Sequence, residues 1–384
     1  MKILVLCQYF FPEQFLINDI VPELVKRGHD VTVLTGRPNY PDGKIKKGYK
    51  KVDEYKGAKV IRAFEIGRSK GLLLNYVSFL KSANRQIKKL DSFDVVFTYE
   101  LSPISMAAPL IKYKKKHPNV KSLLYCLDIW PESFNSHMPL KGIRKIIARY
   151  SKKVYQAYDR IAVTSRPFID YLNRVNEIDY NAMVYLPQHA VGDLIEKDLT
   201  SNNQIPHFMF AGNLGKGQTL DVLIKALALV QKPFIMDFVG TGSCEKDLKQ
   251  LALKLDIEEK VIFHGKKTYL EMEDMYKQAD ALLISLRGNN EVGNTLPGKF
   301  QTYMSAGKPI FGAINGATYE LIKESKCGDC VLAGDYEGLS KILNDYLESP
   351  NKYKDCGQNA REYFKKHFTL EIYMNSLEKE LLSL

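Results

Sequence analysis

The stretch E291-V-G-N-T-L-P-G-K-F-Q-T-Y-M-S-A-G-K-P309 sets a polar, glycine-bearing loop before a short amphipathic helix and an apolar strand that starts at Pro309-Ile310-Phe311. This is the loop–helix–strand unit of an α/β domain. Read as a helix entry, it leaves the backbone N–H groups of Gly293, Asn294 and Thr295, followed by Leu296, at an end that carries unpaired donors and partial positive charge. Such an end takes anions, phosphate above all. Lys299 just inside the helix adds a full charge, and Glu291 precedes the amides. Gly307 and Pro309 stop the helix. The alternative is an ordinary connecting loop, with Glu291 complementing the helix dipole.

The rest of the chain repeats the same alternation. Residues 2–7 read as a fully buried strand, Asn18 to Arg27 as a helix with one apolar face, and His29 to Thr35 as the next strand. A βαβ start implies a parallel, doubly wound sheet. Further strands are expected at Val60–Phe64, Val95–Tyr99, Lys121–Leu127 and Arg160–Thr164, with helices at Leu72–Leu90, Ile104–Lys116 and Ile143–Tyr158. Residues 191–207 turn polar and read as a linker. A second series then begins at Phe208–Ala211, with the glycine loop G212-N-L-G-K-G217 between strand and helix. The expected domains are 1–190, 191–358 and a terminal helical segment 359–384.

Bulk composition narrows the partners. The 384 residues carry a net charge of +11, and the surplus lies in the first half: residues 1–200 hold 33 Lys and Arg against 20 Asp and Glu, the remainder 22 against 24. A basic domain beside a near-neutral one implies an anionic partner such as nucleic acid, anionic lipid or a phosphorylated substrate. The segment K44-I-K-K-G-Y-K-K51 and the helix-spaced basic and apolar residues of 142–158 suit an anionic bilayer, or equally a core-facing helix with a solvated basic face. No run of about 18 apolar residues is present. The opening M-K-I-L-V-L-C is too quickly polar for a signal peptide and reads as a strand. The six cysteines are scattered, with one CxxC at 327–330 and no histidines near it, which argues against a zinc site.

Several segments together resemble glycosyltransferase family 4, retaining enzymes of GT-B architecture. The stretch 291–309 resembles the family's nucleotide-sugar loop. The opening 1–13, K26-R-G-H-D-V-T-V-L-T-G36, residues 211–224, F238-V-G-T-G-S243 and V261-I-F-H-G-K266 follow in the family's order. The P-G-K-x-Q-x-Y-M-x-A-G-K-P pattern, with D128-I-W-P-E-S133 and P38-N-Y-P-D-G43, resembles the fucosaminyl- and fucosyltransferase branch of capsule and O-antigen synthesis. The resemblance implies two Rossmann-like doubly wound domains facing a central cleft, with the terminal helix crossing back to the first. It implies transfer from a nucleotide diphosphate sugar, a UDP-linked N-acetylated deoxyhexosamine such as UDP-L-FucNAc, to a lipid-linked saccharide. The place would be the inner face of a bacterial plasma membrane. Neither a metal nor an organic cofactor is expected, nor nucleic acid.

Residue roles follow from the match. Glu291 stands at the first conserved acid, near the donor sugar. Lys216 and Lys299 are the cations for the diphosphate, with Gly212 before them; Asn213 takes a position where the family usually has Arg, so Lys299 or Arg287 would supply the second charge. The second glutamate falls near Thr302, leaving Gln301 or Thr302 for the ribose. Gly240 and Gly242 suit a close approach beneath the nucleotide, and His264, Gly265 and Lys266 a base-side wall, unless His264 is structural. In the first domain Gln14-Phe15 replaces the family's glycine pair, and Asn18 opens the next helix. Asp128 replaces its histidine, beside Trp130 and Glu132 as an acceptor or sugar site, or else caps the next turn. Charge growing on the departing diphosphate would be met by helix dipole, amides and lysine. A GT-B-like UDP-N-acetylhexosamine epimerase is the rival enzyme, though it needs more carboxylates and histidines than this chain offers. A nucleic-acid-binding protein is the non-enzymatic one, with no RNA or DNA motif to support it.

Overall fold

The structure, a computed structural model, describes residues 1–132, 141–190, 192, 194–288, 293 and 295–384, with backbone alone at 141–143 and 269. The chain forms two compact units, Met1–Leu186 with Tyr373–Leu384, and Pro187–Ile372.

The first unit runs β1 (Lys2–Leu6), α1 (Ile17–Lys26), β2 (Asp30–Thr35), β3 (Val52–Tyr55), β4 (Ala58–Arg62), α2 (Leu72–Ile87), β5 (Val95–Glu100), α3 (Pro109–Lys116), β6 (Lys121–Cys126), α4 (Lys141–Tyr155), β7 (Arg160–Val163), α5 (Pro167–Asn176) and β8 (Met183–Tyr185). Its sheet has the order β3-β4-β2-β1-β5-β6-β7-β8. All pairs are parallel except β3 with β4. Ile3, Leu4, Val5 and Leu6 have no exposure, as expected of a central strand covered on both faces. The order reverses between β1 and β5, so the loops after these strands flank the position where an open parallel sheet binds ligands.

Two expectations change in this unit. The strand expected at Val60–Phe64 lies at Ala58–Arg62, in a hairpin with β3. Lys56 and Gly57 both take positive φ, 47° and 87°, the requirement of a two-residue turn matched to strand twist. The helix expected over Ile104–Lys116 is divided into a 3₁₀ turn, Ile104–Ala107, and α3. Pro109 has no N–H to continue a helix but suits the first position of a new one.

The second unit runs β9 (His207–Ala211), α6 (Leu220–Leu227), β10 (Ile235–Val239), α7 (Glu245–Lys254), β11 (Val261–Gly265), α8 (Tyr269–Gln278), β12 (Ala281–Ser285), α9 (Gly298–Ala306), β13 (Ile310–Ala313), α10 (Gly316–Ser325), β14 (Gly328–Val331), α11 (Tyr336–Glu348) and α12 (Cys356–His367). The sheet is wholly parallel in the order β11-β10-β9-β12-β13-β14, with its reversal between β9 and β12. The polar stretch expected to be a linker is partly core: Leu194, Ile195 and Leu199 are buried against this unit's hydrophobic cluster. Spaced apolar residues anchor a segment whose average composition is polar.

The terminal helical segment is two helices, α12 and α13 (Leu370–Leu382). From Tyr373 onward the last helix belongs to the first unit. Tyr373, Met374, Leu377 and Leu381 are buried, and the Tyr373 ring lies 5.6 Å from that of Tyr125. Glu378 pairs with Arg27 at 2.8 Å and His29 at 2.9 Å, and Glu380 with Arg160 at 2.5 Å. Among the described residues no helix is long and apolar enough to cross a membrane.

The packing makes a direct prediction. Leu377→Ala removes fully buried methyl groups and will cost about 2–5 kcal/mol in the first unit's urea transition. Leu382→Ala, on a residue 64% exposed, will shift it by no more than about 0.5 kcal/mol.

Candidate functional site

In the second unit the loops after β9, β10 and β12 converge at the carboxyl edge of the sheet. Gly212 N–H donates to Val239 O at 2.8 Å, Leu214 N–H to Thr241 O at 3.0 Å, and Arg287 N–H to Gly217 O at 3.0 Å. The glycines are there for this contact between loops. A Cβ on Gly240, whose φ is 134°, would stand 1.9 Å from Gly212 O, and one on Gly242 would stand 2.4 Å from Leu214 O. Their close approach is to the backbone of the neighbouring loop.

Lys299 sits on the glycine loop. Its ammonium lies 3.9 Å from the centroid of the Phe210 ring, donates to Gln218 Oε1 at 2.5 Å, and would be 3.0 Å from a Cβ on Gly212. Burial pulls its pKa down to about 7, because a desolvated cation with one neutral acceptor is poorly compensated. A phosphate delivered to this edge would supply the missing charge.

Helix α9 begins later than expected. Pro297 is its N-cap and Gly298 its first residue. A residue preceding proline is steered away from helical geometry, so Leu296 cannot open the helix. The amides at the helix entrance are therefore those of Gly298 and Lys299. Gly293 instead sits where an added Cβ would meet Arg287 O at 2.2 Å. Thr295 accepts from the Thr318 hydroxyl through its carbonyl at 3.4 Å, and Leu296 is buried. Glu291 and Asn294 lie outside the described residues.

The other candidates divide. Gln301 spends its amide on Pro297 O and Gly298 O, at 2.9 and 3.0 Å in the orientation that satisfies it, which leaves half-buried Thr302 as the ribose candidate. Exposed Lys216 lines, with Arg287, a cavity of about 320 Å³ that also includes Asp221 and Asp247. The Asn213 side chain folds over Gly215, 2.8 Å from where a Cβ would be. His264 Nε2 is 2.6 Å from Asp237 Oδ1, and His207 Nδ1 is 2.7 Å from Asp237 Oδ2. His264 is therefore held by a buried carboxyl group inside the unit. Gly265 accepts from Gly240 N–H at 2.8 Å, and Lys266 is exposed.

In the first unit Asp128 follows β6, and burial raises its carboxyl above the ordinary range, with the Ser102 amide pulling the other way. The sequence reading missed its neighbour Glu100, which ends β5 and has no exposure. Burial first and Asp128 second push the Glu100 carboxyl well up, against the Cys126 thiol and the Leu127 and Asp128 amides. An acid closing the apolar run V95-V-F-T-Y-E100 was the available signal. Trp130 is buried, its indole N–H donating to Ser102 Oγ at 2.9 Å. Glu132 accepts from the Tyr171 hydroxyl at 3.2 Å. Asn18 turns back to Glu13 O at 2.5 Å, without capping α1. Gln14 is exposed, while Phe15 stacks on Tyr9 with centroids 5.5 Å apart. Among the described residues no group of three or more His, Cys, Asp and Glu side chains is placed to hold a metal ion.

Comparison with known proteins agrees with this layout. Residues 193–363 match the family described as Glycosyl transferases group 1, and residues 15–187 match Glycosyltransferase Family 4. No protein of curated function matches by sequence. Among solved structures, a sucrose-phosphate synthase from Thermosynechococcus elongatus superposes with a TM-score of 0.77 at 15% identity, covering 100% of this chain and 99% of that one. Anabaena Alr3699/HepE in complex with UDP gives 0.72 at 16%, covering 100% of both chains. The lipopolysaccharide outer core galactosyltransferase WaaB gives 0.70 at 14%, covering 100% and 99%.

Two outcomes are expected from the loop geometry. Gly240→Ala will destabilise the second unit by about 1–3 kcal/mol in thermal or urea unfolding, since backbone must move to admit the methyl group. Lys299→Met will be more stable than the wild type near pH 7. Between its folded pKa of about 7 and its unfolded value near 10.5, Lys299 is protonated only in the unfolded chain, so wild-type stability rises with pH there. The advantage of Lys299→Met will therefore shrink as melts are taken from pH 7 towards 10.

Proposed function

We propose that this chain, a glycosyltransferase of GT-B type, moves a sugar from a UDP-linked donor to a lipid-linked saccharide with retention of anomeric configuration. The observation that carries the donor half is Lys299, a buried and undercompensated ammonium laid on the glycine loop where the second sheet reverses its order. A neighbouring structure was solved with UDP and another with UDP-glucose, which supports a uridine nucleotide here. The D-I-W-P-E-S and P-N-Y-P-D-G segments favour an N-acetylated deoxyhexosamine such as L-FucNAc as the donor sugar.

In this reading the C1–O bond to the diphosphate lengthens first, leaving an oxocarbenium-like sugar. Negative charge grows on the departing phosphate, where Lys299, the entrance amides of α9 and, from its own side, Lys216 stabilise it. The acceptor hydroxyl attacks from the same face, and its proton passes to the departing phosphate oxygen. Glu291 bonds the donor sugar's hydroxyls and Thr302 the ribose. Asp128, over buried Glu100, holds a sugar hydroxyl on the first unit. The acceptor's lipid would be met at a cytoplasmic membrane face by α4, where Ile146 and Tyr150 are exposed among Lys145, Arg149 and Lys153.

The deciding experiment is thermal-shift binding with UDP, GDP and ADP, followed by calorimetry of the nucleotide that stabilises. UDP will raise the melting temperature and Lys299→Met will abolish the rise. At pH 8, UDP binding will take up close to one proton, measured from the buffer dependence of the heat, because the diphosphate restores the charge that burial removed. No shift with any nucleotide in folded protein would sink the reading. A further expectation concerns turnover: Asp128→Asn will lower kcat by about 10²-fold with UDP affinity unchanged.

A further inference from the structure

The first unit holds a second basic site that the donor chemistry does not use. The segment 36–51, between β2 and β3, closes over the carboxyl ends of β2 and β4 to make a cavity of about 590 Å³, within the range of small-molecule sites. Six of its lining residues are cations, Arg37, Lys46, Lys47, Lys50, Lys51 and Arg62, and none is an acid. Tyr49 and Phe64 supply aromatic wall. Arg37 lies 5.6 Å from the Phe64 ring centroid and Arg62 lies 5.1 Å from that of Tyr49.

Arg62 separates this site from an ordinary basic surface. It is 5% exposed, and of its three nitrogens only Nη2 is engaged, donating to Phe11 O at 2.9 Å. Nε and Nη1 are buried with no hydrogen-bond partner among the described residues. Asp53 and Glu13 act on it electrostatically without forming an ion pair. A guanidinium in this state has lost water on two edges and gained no hydrogen bond there in return. An anion with two oxygens fits the open fork.

The cavity is held in shape from below. Glu13 accepts from Asn39 N–H at 2.7 Å, Tyr40 N–H at 2.6 Å and Phe10 N–H at 3.2 Å. Asn39 Nδ2 also donates to Glu65, which burial raises to about 9. Glu65, raised to about 9, and Glu13, tethered by three backbone amides, fix the loop. The Arg62 amide donates to Lys51 O at 2.8 Å and the Lys46 amide to Pro38 O at 2.8 Å, which ties the cationic stretch at both ends.

We propose that this cavity is a phosphate-binding site, with Arg62 as its fixed cation and the lysines of 46–51 as its mobile ones, and that its ligand is a phosphate or diphosphate. A lipid-borne source is favoured by the same helix that lends Gln86 to the wall. About 20 Å along α2, Leu72, Leu73 and Leu74 stand 50%, 75% and 54% exposed. The proposal does not rest on the UDP reading, and either can fail alone.

The test is calorimetric titration of the full chain with sodium pyrophosphate at 150 mM NaCl, with saturating UDP present to occupy any site in the second unit. One equivalent is expected to bind. Arg62→Met should weaken it at least 10-fold, and the surface triple Lys47→Gln, Lys50→Gln, Lys51→Gln several-fold. If Arg62→Met does not fold, the triple variant decides. Absence of binding, or binding that neither variant changes, overturns the proposal. Flotation with phosphatidylcholine vesicles, with and without phosphatidylglycerol, identifies the source. Binding to the anionic vesicles that pyrophosphate displaces marks a lipid headgroup. Pyrophosphate binding without such vesicle binding marks a diphosphate from another ligand. Anionic-vesicle binding that pyrophosphate leaves untouched, in protein that fails to bind pyrophosphate, reduces the site to surface charge and overturns it.

Discussion

The second unit depends on backbone passing against backbone where a side chain would not fit. Gly240 meets the carbonyl of Gly212, and Gly242 that of Leu214, so the loops after β9 and β10 stack as bare chain. The amides between them are satisfied by carbonyls of the neighbouring loop, leaving little slack for either loop to move. Lys299 is then laid against a surface that is already rigid, with an aromatic ring below and one neutral oxygen beside it. Its depressed pKa follows from burial, and among the described residues no acid forms an ion pair with it. The same constraint explains why α9 starts at Gly298. Pro297 delivers the helix entrance and the lysine to the loop together.

The first unit solves a different electrostatic problem. Its excess of lysine and arginine is larger in effect than the formal count, because several of its acids are inside. Glu13, Glu65 and Glu100 are buried, and burial raises all three. Glu65, near 9, holds its proton at neutral pH and does not offset the surface cations, and burial pushes Glu13 and Glu100 in the same direction. The field outside the unit is thus more positive than composition suggests. Arg62 shows the complementary case, a cation drawn into the same region with two of its nitrogens unmatched. Buried polar groups of both signs gather at the carboxyl edge of this sheet, where loop backbone can satisfy some of them and a ligand the rest.

The clearest lesson on legibility comes from particular residues. The parallel, doubly wound class was readable from apolar runs such as I3-L-V-L6 and from the strand–glycine–helix order at 208–220, since a strand buried on both faces has little other way to be written. Lys299 was readable as a cation at the entrance of a helix, because it follows a glycine-bearing loop at helical position. Pairing of Lys299 with Gln218 was not readable, since the two are 81 positions apart and only the order β9-β12 makes them neighbours.

Local chemistry therefore determined, in sequence alone, which elements form and which residue types wait at their carboxyl ends. Alternation of apolar runs with glycine, proline and charge acts over a few residues, and its physics is local. Tertiary structure alone decided which of those residues meet, which stay in water and what charge they carry. His264 became a partner of Asp237, Glu100 a buried neighbour of Asp128 with its carboxyl pushed upward, and Arg62 an open fork in a basic cavity. Desolvation and Coulomb forces depend on distance through space, and strand order, not sequence separation, sets that distance.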